Sequence, residues 1–412
     1  MRVLIVTADY PASTRHAGSP RLFNLARELA RSHEVTLCLT HVSAERRSAH
    51  LSDDESLGIF SSAVELSSST VAEPSPWRRL RHSLTLEPAF SSRITRPLHV
   101  AQLARAVDMA LSRSAAELLY INGLDQCQFR PADVRVPTVV DFCDSISWLT
   151  AQQAADAPDW RSRLALQLSL PGVRREERRA LHLADAGVAI SDVDAIKLRE
   201  LDANANLHVV PNGVDMEYFK HSLPSSASRS LIFTGVLGYP PNAEAATVCA
   251  TEILPRVKAM FGNATLALVG ADPPTAVNAL SSTSGVLVTG FVPDLRSYLR
   301  EAAVFVSPLR VGAGVKNKLL VAMAMGVPIV ANSLSISGIS ATPGVHFLHA
   351  ETPDEFAGQV ARLFRDPELA DRLSRSGRQL VEERYSWQAQ GKLLEAALMN
   401  ARDKKEHNSG RD

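Results

Sequence analysis

Short apolar runs alternate with longer amphipathic segments along most of the chain. The first run, Val3–Thr7, is followed by a helical pattern over Pro20–Ser32, in which apolar positions recur every three or four residues. Further apolar runs of strand length follow in the first half of the chain: Glu34–Thr40, Glu117–Ile121, Thr138–Phe142, Ala186–Ile190 and Leu207–Val210. This alternation predicts a parallel sheet with helices on both faces.

The same alternation restarts after a segment that contains HSLPSSASRS, the composition of a linker. The later apolar runs are Leu231–Thr234, Ala264–Val269, Val286–Thr289, Val304–Ser307 and Pro328–Ala331. We therefore predict an α/β protein with two doubly wound parallel-sheet domains. The predicted segments are a first domain, a linker, a second domain, an amphipathic helix and a frayed tail: 1–215, 216–229, 230–385, 386–400 and 401–412.

Composition narrows the function classes. Of the 412 residues, 45% are hydrophobic and 21% are charged, which is typical of a globular protein. The 44 Lys and Arg residues balance 44 Asp and Glu residues, so no global charge favours nucleic acid. The four cysteines lack metal-ligand spacing, and we predict neither a metal nor another cofactor. No signal peptide or membrane-spanning run is recognised, so we expect a cytoplasmic protein, and its oligomeric state stays open.

The loop after the first apolar run is where a dinucleotide-binding protein carries its glycine fingerprint. Residues 8–19 contain one glycine, Gly18, and neither G-x-G-x-x-G nor a P-loop. A dehydrogenase and an NTPase are therefore disfavoured. Gly18 either lets a ligand approach the backbone or serves as a turn residue, and the sequence leaves both interpretations open.

The loop richest in candidate chemistry is PLRVGAGVKNK at 308–318. It follows a predicted strand and precedes a predicted helix, whose first N–H groups attract anions. Glycines let the backbone approach a ligand closely, and Lys and Arg side chains suit a diphosphate. The loop therefore favours an anion site over a solvated basic turn, with these candidate residues: Arg310, Gly312, Gly314, Lys316 and Lys318.

Two further loops follow predicted strands. In TGVLGYPPN at 234–242, Gly235 is a candidate for close approach to a ligand. Asn242 either contacts the ligand or caps the following helix, and neither interpretation is preferred. Gly290, in TGFVPD at 289–294, lies at a third strand end and could line a base pocket.

These segments together resemble family 4 of the retaining GT-B glycosyltransferases. The order and spacing of the motifs are similar to those of a bacterial subgroup that often serves exopolysaccharide or secondary-metabolite pathways. The resemblance spans roughly the whole chain and is strongest from 205 to 390. It rests on PNGVD at 211–215, FTGVLGYPPNAEAA at 233–246, LALVG at 266–270, VTGFVPD at 288–294, FVSPLRVGAGVKNKLLVAMAMGVPIVAN at 305–332 and YSW at 385–387.

The resemblance implies the GT-B fold, in which two Rossmann-like domains face each other across a cleft. It implies a UDP- or GDP-linked sugar donor in the C-terminal domain and an unidentified acceptor in the N-terminal domain. Transfer would retain the anomeric configuration and need no metal. Gly314, Lys316 and Lys318 would stabilise the leaving diphosphate, with Arg310 as a further candidate. The helix at 386–400 would cross back to the N-terminal domain.

The chain departs from the family pattern in its C-terminal half. The family usually carries two glutamates with seven residues between them, and the second holds the ribose hydroxyls of the donor. Those positions are Ala313 and Val321 here. Buried polar groups of a ligand left unpaired at Val321 would cost on the order of 1–3 kcal/mol each. This substitution keeps open an alternative function, a catalytically silent GT-B homologue acting as an accessory or scaffold subunit.

The N-terminal half departs from the pattern as well. The histidine that family members often place near the sugar falls at Asn122, which we assign to acceptor binding with Gly18 and Asp141. His16 and Asp144 are the catalytic candidates in its place. Asp141 and Asp144 could instead cap the helix that follows them.

Two basic stretches bear on partners. WRRLRH at 77–82, with Arg93 and Arg96, hints at an anionic acceptor or at a peripheral contact with the inner membrane surface. RREERR at 174–179 mixes charges and predicts a solvated helix face with i,i+4 ion pairs. A nucleotide-sugar epimerase of the same architecture is disfavoured, because no carboxylate or histidine pair can be placed for it.

Overall fold

The apolar runs form strands of two separate sheets. The computed structural model describes residues 1–8, 11, 20–40, 58–66, 88, 90–157, 159–221, 228–312 and 314–409. The chain divides into two units, one comprising Met1–Pro211 with Gln390–Asp412 and the other comprising Asn212–Ala389.

The first unit contains a sheet of seven parallel strands. They pair in the order β3-β2-β1-β4-β5-β6-β7. In the middle of the sheet, Ile5 of β1 pairs with Leu37 of β2 on one side and Tyr120 of β4 on the other. The strands are β1 (Arg2–Thr7), β2 (Glu34–Leu39), β3 (Ser62–Glu65), β4 (Leu118–Asn122), β5 (Thr138–Cys143), β6 (Ala186–Ala189) and β7 (Leu207–Val209).

Helices connect these strands. Among their caps, Ser145 accepts a hydrogen bond from the backbone N–H of Trp148 at the start of the third helix. The alternative that Asp141 or Asp144 caps this helix is therefore wrong. The helices of the unit are α1 (Pro20–Leu29), α2 (Pro97–Arg113), a 3-10 turn (Leu124–Phe129), α3 (Ile146–Ala155), α4 (Trp160–Leu183) and α5 (Asp192–Arg199). A last helix, α14 (Trp387–Ser409), contributes its residues from Gln390 onward.

The second unit contains a sheet of six parallel strands in the order β10-β9-β8-β11-β12-β13. Its core includes Phe233 and Phe305, which are fully buried on neighbouring strands. The strands are β8 (Ser230–Thr234), β9 (Thr265–Val269), β10 (Val286–Val288), β11 (Val304–Ser307), β12 (Ile329–Ala331) and β13 (Leu348–His349).

The helices of the second unit follow the sequence signals for helix ends. Thr352 and Glu355 form a capping box, and Gly326 ends another helix with a φ of 78°. The helices are α6 (Pro240–Val248), a π-helical stretch (Cys249–Ile253), α7 (Leu254–Met260), α8 (Thr275–Asn278), a 3-10 turn (Ala279–Ser282), α9 (Arg296–Glu301), α10 (Asn317–Met325), α11 (Ser333–Ile336), α12 (Pro353–Arg365) and α13 (Pro367–Arg384).

The two parallel, doubly wound sheets confirm the predicted fold class. Each sheet has one point at which the strand order changes direction, between β1 and β4 in the first unit and between β8 and β11 in the second. Open α/β sheets bind ligands outside the carboxyl ends of the strands at such a point. Over the part of the chain that the structure describes, no helix is both long and apolar enough to cross a membrane.

Candidate functional site

The loops after β8 and β11 lie at the switch point of the second sheet. Strand β8 pairs with β11 on one side and with β9 on the other. Adjacent parallel strands end at the same edge, so Gly235, after β8, lies beside the loop that begins at Pro308, after β11. The topology therefore brings together two of the three loops that the sequence singles out in the second unit.

Two glycines allow the backbones after β8 and β9 to touch. A Cβ atom added to Gly270 would lie 1.6 Å from the carbonyl oxygen of Gly235. A Cβ on Gly235 itself would lie 2.8 Å from Nδ2 of Asn242 and 3.2 Å from Nζ of Lys318. A side chain at Gly270 would collide with the backbone, and one at Gly235 would collide with Asn242 and Lys318. Glycine at both positions therefore lets the loop after β8 lie close to Lys318.

We expect the Gly270→Ala variant to lose this arrangement. The added methyl group must displace the Gly235 carbonyl, at a cost of about 2–4 kcal/mol in the free energy of unfolding. Chemical denaturation measures this loss. Gly262→Ala is the matched control, because nothing lies within 4 Å of its added Cβ. An equal effect of both substitutions would contradict the role given to the glycine contact.

The amine of Lys318 lies inside this cluster. Its Nζ donates to Oδ1 of Asn242 at 2.6 Å and lies 4.4 Å from the ring centroid of Phe233. Burial, and then the neighbouring charge of Lys316, lower the pKa of Lys318 to about 7. A desolvated amine of this kind gains its charge readily when an anion arrives, which is the property expected of a side chain that binds phosphate.

Asn242 holds the lysine rather than starting the helix. Helix α6 begins at Pro240 with Tyr239 as its cap, so the alternative that Asn242 is the N-cap is wrong. Its Nδ2 donates to the carbonyl of Val236 at 2.9 Å, while its Oδ1 accepts from Lys318. The side chain thus links the β8 loop to the α10 lysine. Direct contact with a ligand stays a prediction for Asn242.

Lys316 shapes the loop after β11. It is 8% exposed, and its Nζ donates to the Gly314 carbonyl at 2.6 Å and to the Gly312 carbonyl at 3.4 Å. Gly314 adopts a φ of 65°, the left-handed conformation that favours glycine. The ammonium group therefore folds the glycine loop around itself and adds a positive charge beside Lys318.

Helix α10 begins directly after this loop. Lys316 occupies its N-cap position, and no side-chain hydrogen bond caps the helix there. The first N–H groups of a helix have no partners within the helix and carry a partial positive charge. Anions bind at such termini, and Lys316 and Lys318 lie at the start of α10. The chemistry of the cluster therefore matches a diphosphate.

The remaining candidates in this unit lie around the cluster. Arg310 is exposed, and its guanidinium is 3.3 Å from Oε1 of Glu244, which is a surface ion pair. Val321 is half-buried against the apolar core below α10. Gly290 has a φ of 70° with open space where a Cβ would be. Contacts between these three residues and a ligand stay predictions.

The first unit contains a buried ion pair that the sequence did not indicate. Asp141 is fully buried, and its carboxylate lies 3.0 Å from Nε of Arg21. The carboxylate also accepts from the Tyr120 hydroxyl at 2.6 Å and from the Cys143 N–H at 3.0 Å. Asp141 was expected to face the acceptor. In this structure it holds Arg21 instead, because protein donors surround its oxygens.

Arg21 extends this network to the end of the sheet. Its Nη1 donates to the carbonyl oxygens of Val210 at 2.8 Å and Pro211 at 3.2 Å. Burial alone would lower the pKa of Arg21, but the charge of Asp141 keeps it above its ordinary value. Burial, and then Asp141, raise the pKa of Tyr120. The network is charged, buried and fixed, which is the property of a structural support.

The other first-unit candidates lie at the carboxyl edge or outside the described residues. Asn122, at the end of β4, donates to the hydroxyl of Thr7 at 3.3 Å. Asp144 is half-buried in the turn after β5. His16 and Gly18 lie outside the described residues, as does Ala313 of the second unit. Within the described ranges, no group of three or more potential metal ligands occurs.

One comparison finds a family match within the second unit. Residues 228–366 match the family described as "Glycosyl transferases group 1". That segment contains the Gly235–Lys318 cluster. A search of curated proteins finds no match.

Solved structures resemble the whole chain. Sucrose-phosphate synthase from Thermosynechococcus elongatus is 15% identical with a TM-score of 0.67, over 96% of this chain and 97% of that one. TarM from S. aureus is 9% identical with a TM-score of 0.69, over 97% and 98%. HepE from Anabaena, solved with UDP, is 14% identical with a TM-score of 0.63, over 97% and 100%. The fold is GT-B. The predicted GT-B fold with two α/β units is thereby confirmed.

Proposed function

We propose that this protein is a glycosyltransferase that moves a sugar from a nucleotide-sugar donor to an acceptor. The observation that carries the proposal is the half-buried Lys318, whose amine is held at the switch point beside the uncapped start of α10. A buried amine is costly, and an anionic ligand offsets that cost. The match of 228–366 to a glycosyltransferase family supports a nucleotide diphosphate as the anion.

The donor is proposed to bind through its diphosphate. Lys318 and the N–H groups of α10 would contact the phosphate oxygens, and Lys316 would add charge from within the loop. Gly235 and Gly314 would let the ligand reach the backbone. We propose a UDP-linked sugar, because HepE was solved with UDP and with UDP-glucose, and a GDP-linked sugar is the second choice.

Catalysis in this proposal is mainly electrostatic. Negative charge builds up on the diphosphate as the bond to the sugar breaks, and preorganised cations stabilise it at that moment. We propose retention of configuration through a state with oxocarbenium character, in which the departing diphosphate helps to deprotonate the acceptor. The cations are supplied by Lys316 and Lys318, and we propose that no metal is required. Membership of family 4 and its exopolysaccharide subgroup belongs to the same proposal.

The first unit is proposed to bind the acceptor at the carboxyl edge of its sheet. Asn122 and Asp144 lie at or directly after the ends of neighbouring strands there. We keep Asp144 and His16 as the proposed catalytic residues, and Asn122 and Gly18 as proposed contacts. The network of Asp141 and Arg21 would hold this edge in place.

The alternative function, a catalytically silent subunit, rests on Val321. A thermal-stability screen distinguishes it from an active glycosyltransferase. We would incubate the full chain with UDP, GDP, TDP and their common sugars. A ligand at a hundred times its dissociation constant stabilises by roughly 2.7 kcal/mol. A response to one nucleotide family supports the proposal. No response in the wild type, together with a response in Val321→Glu, would replace it with the silent subunit.

In an active enzyme we expect Val321→Glu to tighten the binding of UDP by about tenfold. The new carboxylate can accept hydrogen bonds from the ribose hydroxyls, which the valine leaves unpaired. Titration calorimetry gives the affinities. Val321→Gln is the control, since it matches the size of glutamate without its charge and should gain less. Unchanged affinity in Val321→Glu would show that the ribose lies elsewhere.

A further inference from the structure

The first half of α4 exposes large apolar side chains. Trp160 is 69% exposed, Leu164 is 45% exposed and Leu168 is 52% exposed. They are spaced four residues apart, so they form one stripe along the helix. The guanidinium of Arg161 stacks on the Trp160 ring, 5.5 Å from its centroid. Such a row of exposed apolar side chains indicates a surface that something else covers.

Arginines share the face of this stripe. At about 100° per residue, Arg163, Arg174, Arg175 and Arg178 fall with the three apolar residues in a sector of about 140°. All four arginines are exposed. Because this face of α4 combines aromatic and aliphatic side chains with positive charge, it has the composition of a helix that lies in a membrane interface.

The two acids of α4 point the other way. Glu176 and Glu177 are buried, so the expectation of a solvated face with i,i+4 pairs is wrong for this segment. Glu176 pairs with Arg93 at 3.2 Å, and Glu177 accepts from the N–H of Ser147 at 3.1 Å. Arg93 is thereby occupied inside the unit. Glu176 also pairs with Arg179 of α4 at 3.6 Å, so neither acid of this helix lies on the face of the four arginines.

A cleft of about 360 Å³ opens beside the second half of α4. It lies between α3, α4 and α5, and the side chains that line it include Trp148, Arg174, Arg178 and Lys197. Glu200 is the one acid in the lining, and it pairs with Lys197 at 2.6 Å. Three cations and an indole therefore surround the space, which suits a phosphate attached to a less polar group.

We propose that this face of α4 docks on a membrane that contains anionic phospholipid, with a lipid phosphate entering the Trp148 cleft. Trp160, Leu164 and Leu168 enter the interface, and the arginines contact the headgroups. A second copy of the chain is the less suitable occupant. A twofold contact would place the same four arginines against each other, and like charges repel. The contact predicted for residues 77–82 lies outside the described residues and stays a prediction, and α4 is proposed as a separate membrane contact.

Vesicle flotation with the full chain tests the proposal. We expect binding to vesicles of phosphatidylcholine that contain about 30% phosphatidylglycerol, because this share of anionic lipid gives a strong negative surface potential. We expect no binding to phosphatidylcholine alone, and release as salt is raised. Trp160→Ser with Leu164→Ser and Leu168→Ser should lower the partition coefficient on the order of a hundredfold. Arg174→Gln with Arg178→Gln should lower it about thirtyfold.

Matched controls separate docking from damage to the fold. Leu98 is 80% exposed and Met109 is 53% exposed, both on α2. Leu98→Ser with Met109→Ser should float like the wild type. Each variant should also show the same thermal response to UDP as the wild type. A failure of the membrane proposal can therefore be distinguished from a failure of the proposed function.

Three results would overturn the membrane proposal. One is equal flotation with both kinds of vesicle, and another is full flotation of the stripe variant. The third is a wild-type dimer that the stripe substitutions convert into a monomer in sedimentation velocity. That outcome would assign the face to a second copy.

Discussion

Replacing Lys318 with methionine is expected to stabilise the protein and to abolish tight donor binding. In the folded state, burial lowers the pKa of Lys318 to about 7, so the charged amine opposes folding. Methionine has a similar length and no charge. We expect a gain of about 1–3 kcal/mol in the free energy of unfolding, measured by denaturation at pH 6.5. Affinity for UDP should fall on the order of a hundredfold.

The gain should depend on pH in a defined direction. Between about pH 7 and the ordinary pKa of 10.5, the unfolded state binds more protons at Lys318 than the folded state. The destabilisation of the folded state by Lys318 is therefore largest below pH 7, and it decreases as the pH rises towards 10.5. Lys220→Met removes an exposed lysine of the same unit and should change little. A stability gain that does not shrink with pH would show that the pKa of Lys318 is not lowered in the folded state.

The second large effect is expected in the first unit. Asp141→Asn leaves the buried guanidinium of Arg21 without its counter-charge, because the 3.0 Å ion pair is removed. Breaking a buried pair by removing one partner costs about 3–5 kcal/mol. Urea denaturation should show a loss of that size in the free energy of unfolding.

An exposed aspartate provides the comparison. Asp133 is exposed, and Asp133→Asn should change stability by less than about 0.5 kcal/mol. A double variant, Arg21→Met with Asp141→Asn, should recover part of the loss because no buried charge is left unpaired. If Asp141→Asn proved as mild as Asp133→Asn, the supporting role of the network would be wrong.

Local patterns predict the strands and the loops of the candidate site. The apolar run before PLRVGAGVKNK predicts β11, and the glycines and lysines predict an anion site at the start of α10. The order of strands in the sheet is not local information. That β8 lies beside β11, which places Gly235 near Lys318, follows from the tertiary fold.

The same limit explains what the sequence did not reveal about individual charges. Arg310 and Lys318 belong to one sequence motif and look alike in sequence, yet Arg310 is at the surface and Lys318 is half-buried against Phe233. Arg21 and Asp141 are 120 residues apart, and only the folded sheet joins them. Burial and long-range pairing depend on packing between elements, which periodicity does not encode.

We propose that the amine of Lys318 receives the donor diphosphate. Titration calorimetry with UDP-glucose at pH 8, in buffers of different ionisation enthalpy, counts the protons taken up on binding. An amine with a pKa of about 7 is mostly neutral at pH 8. A bound diphosphate raises that pKa, so we expect uptake of about one proton at pH 8, and no uptake at pH 6 or in Lys318→Met. Tight binding at pH 8 without proton uptake would contradict it.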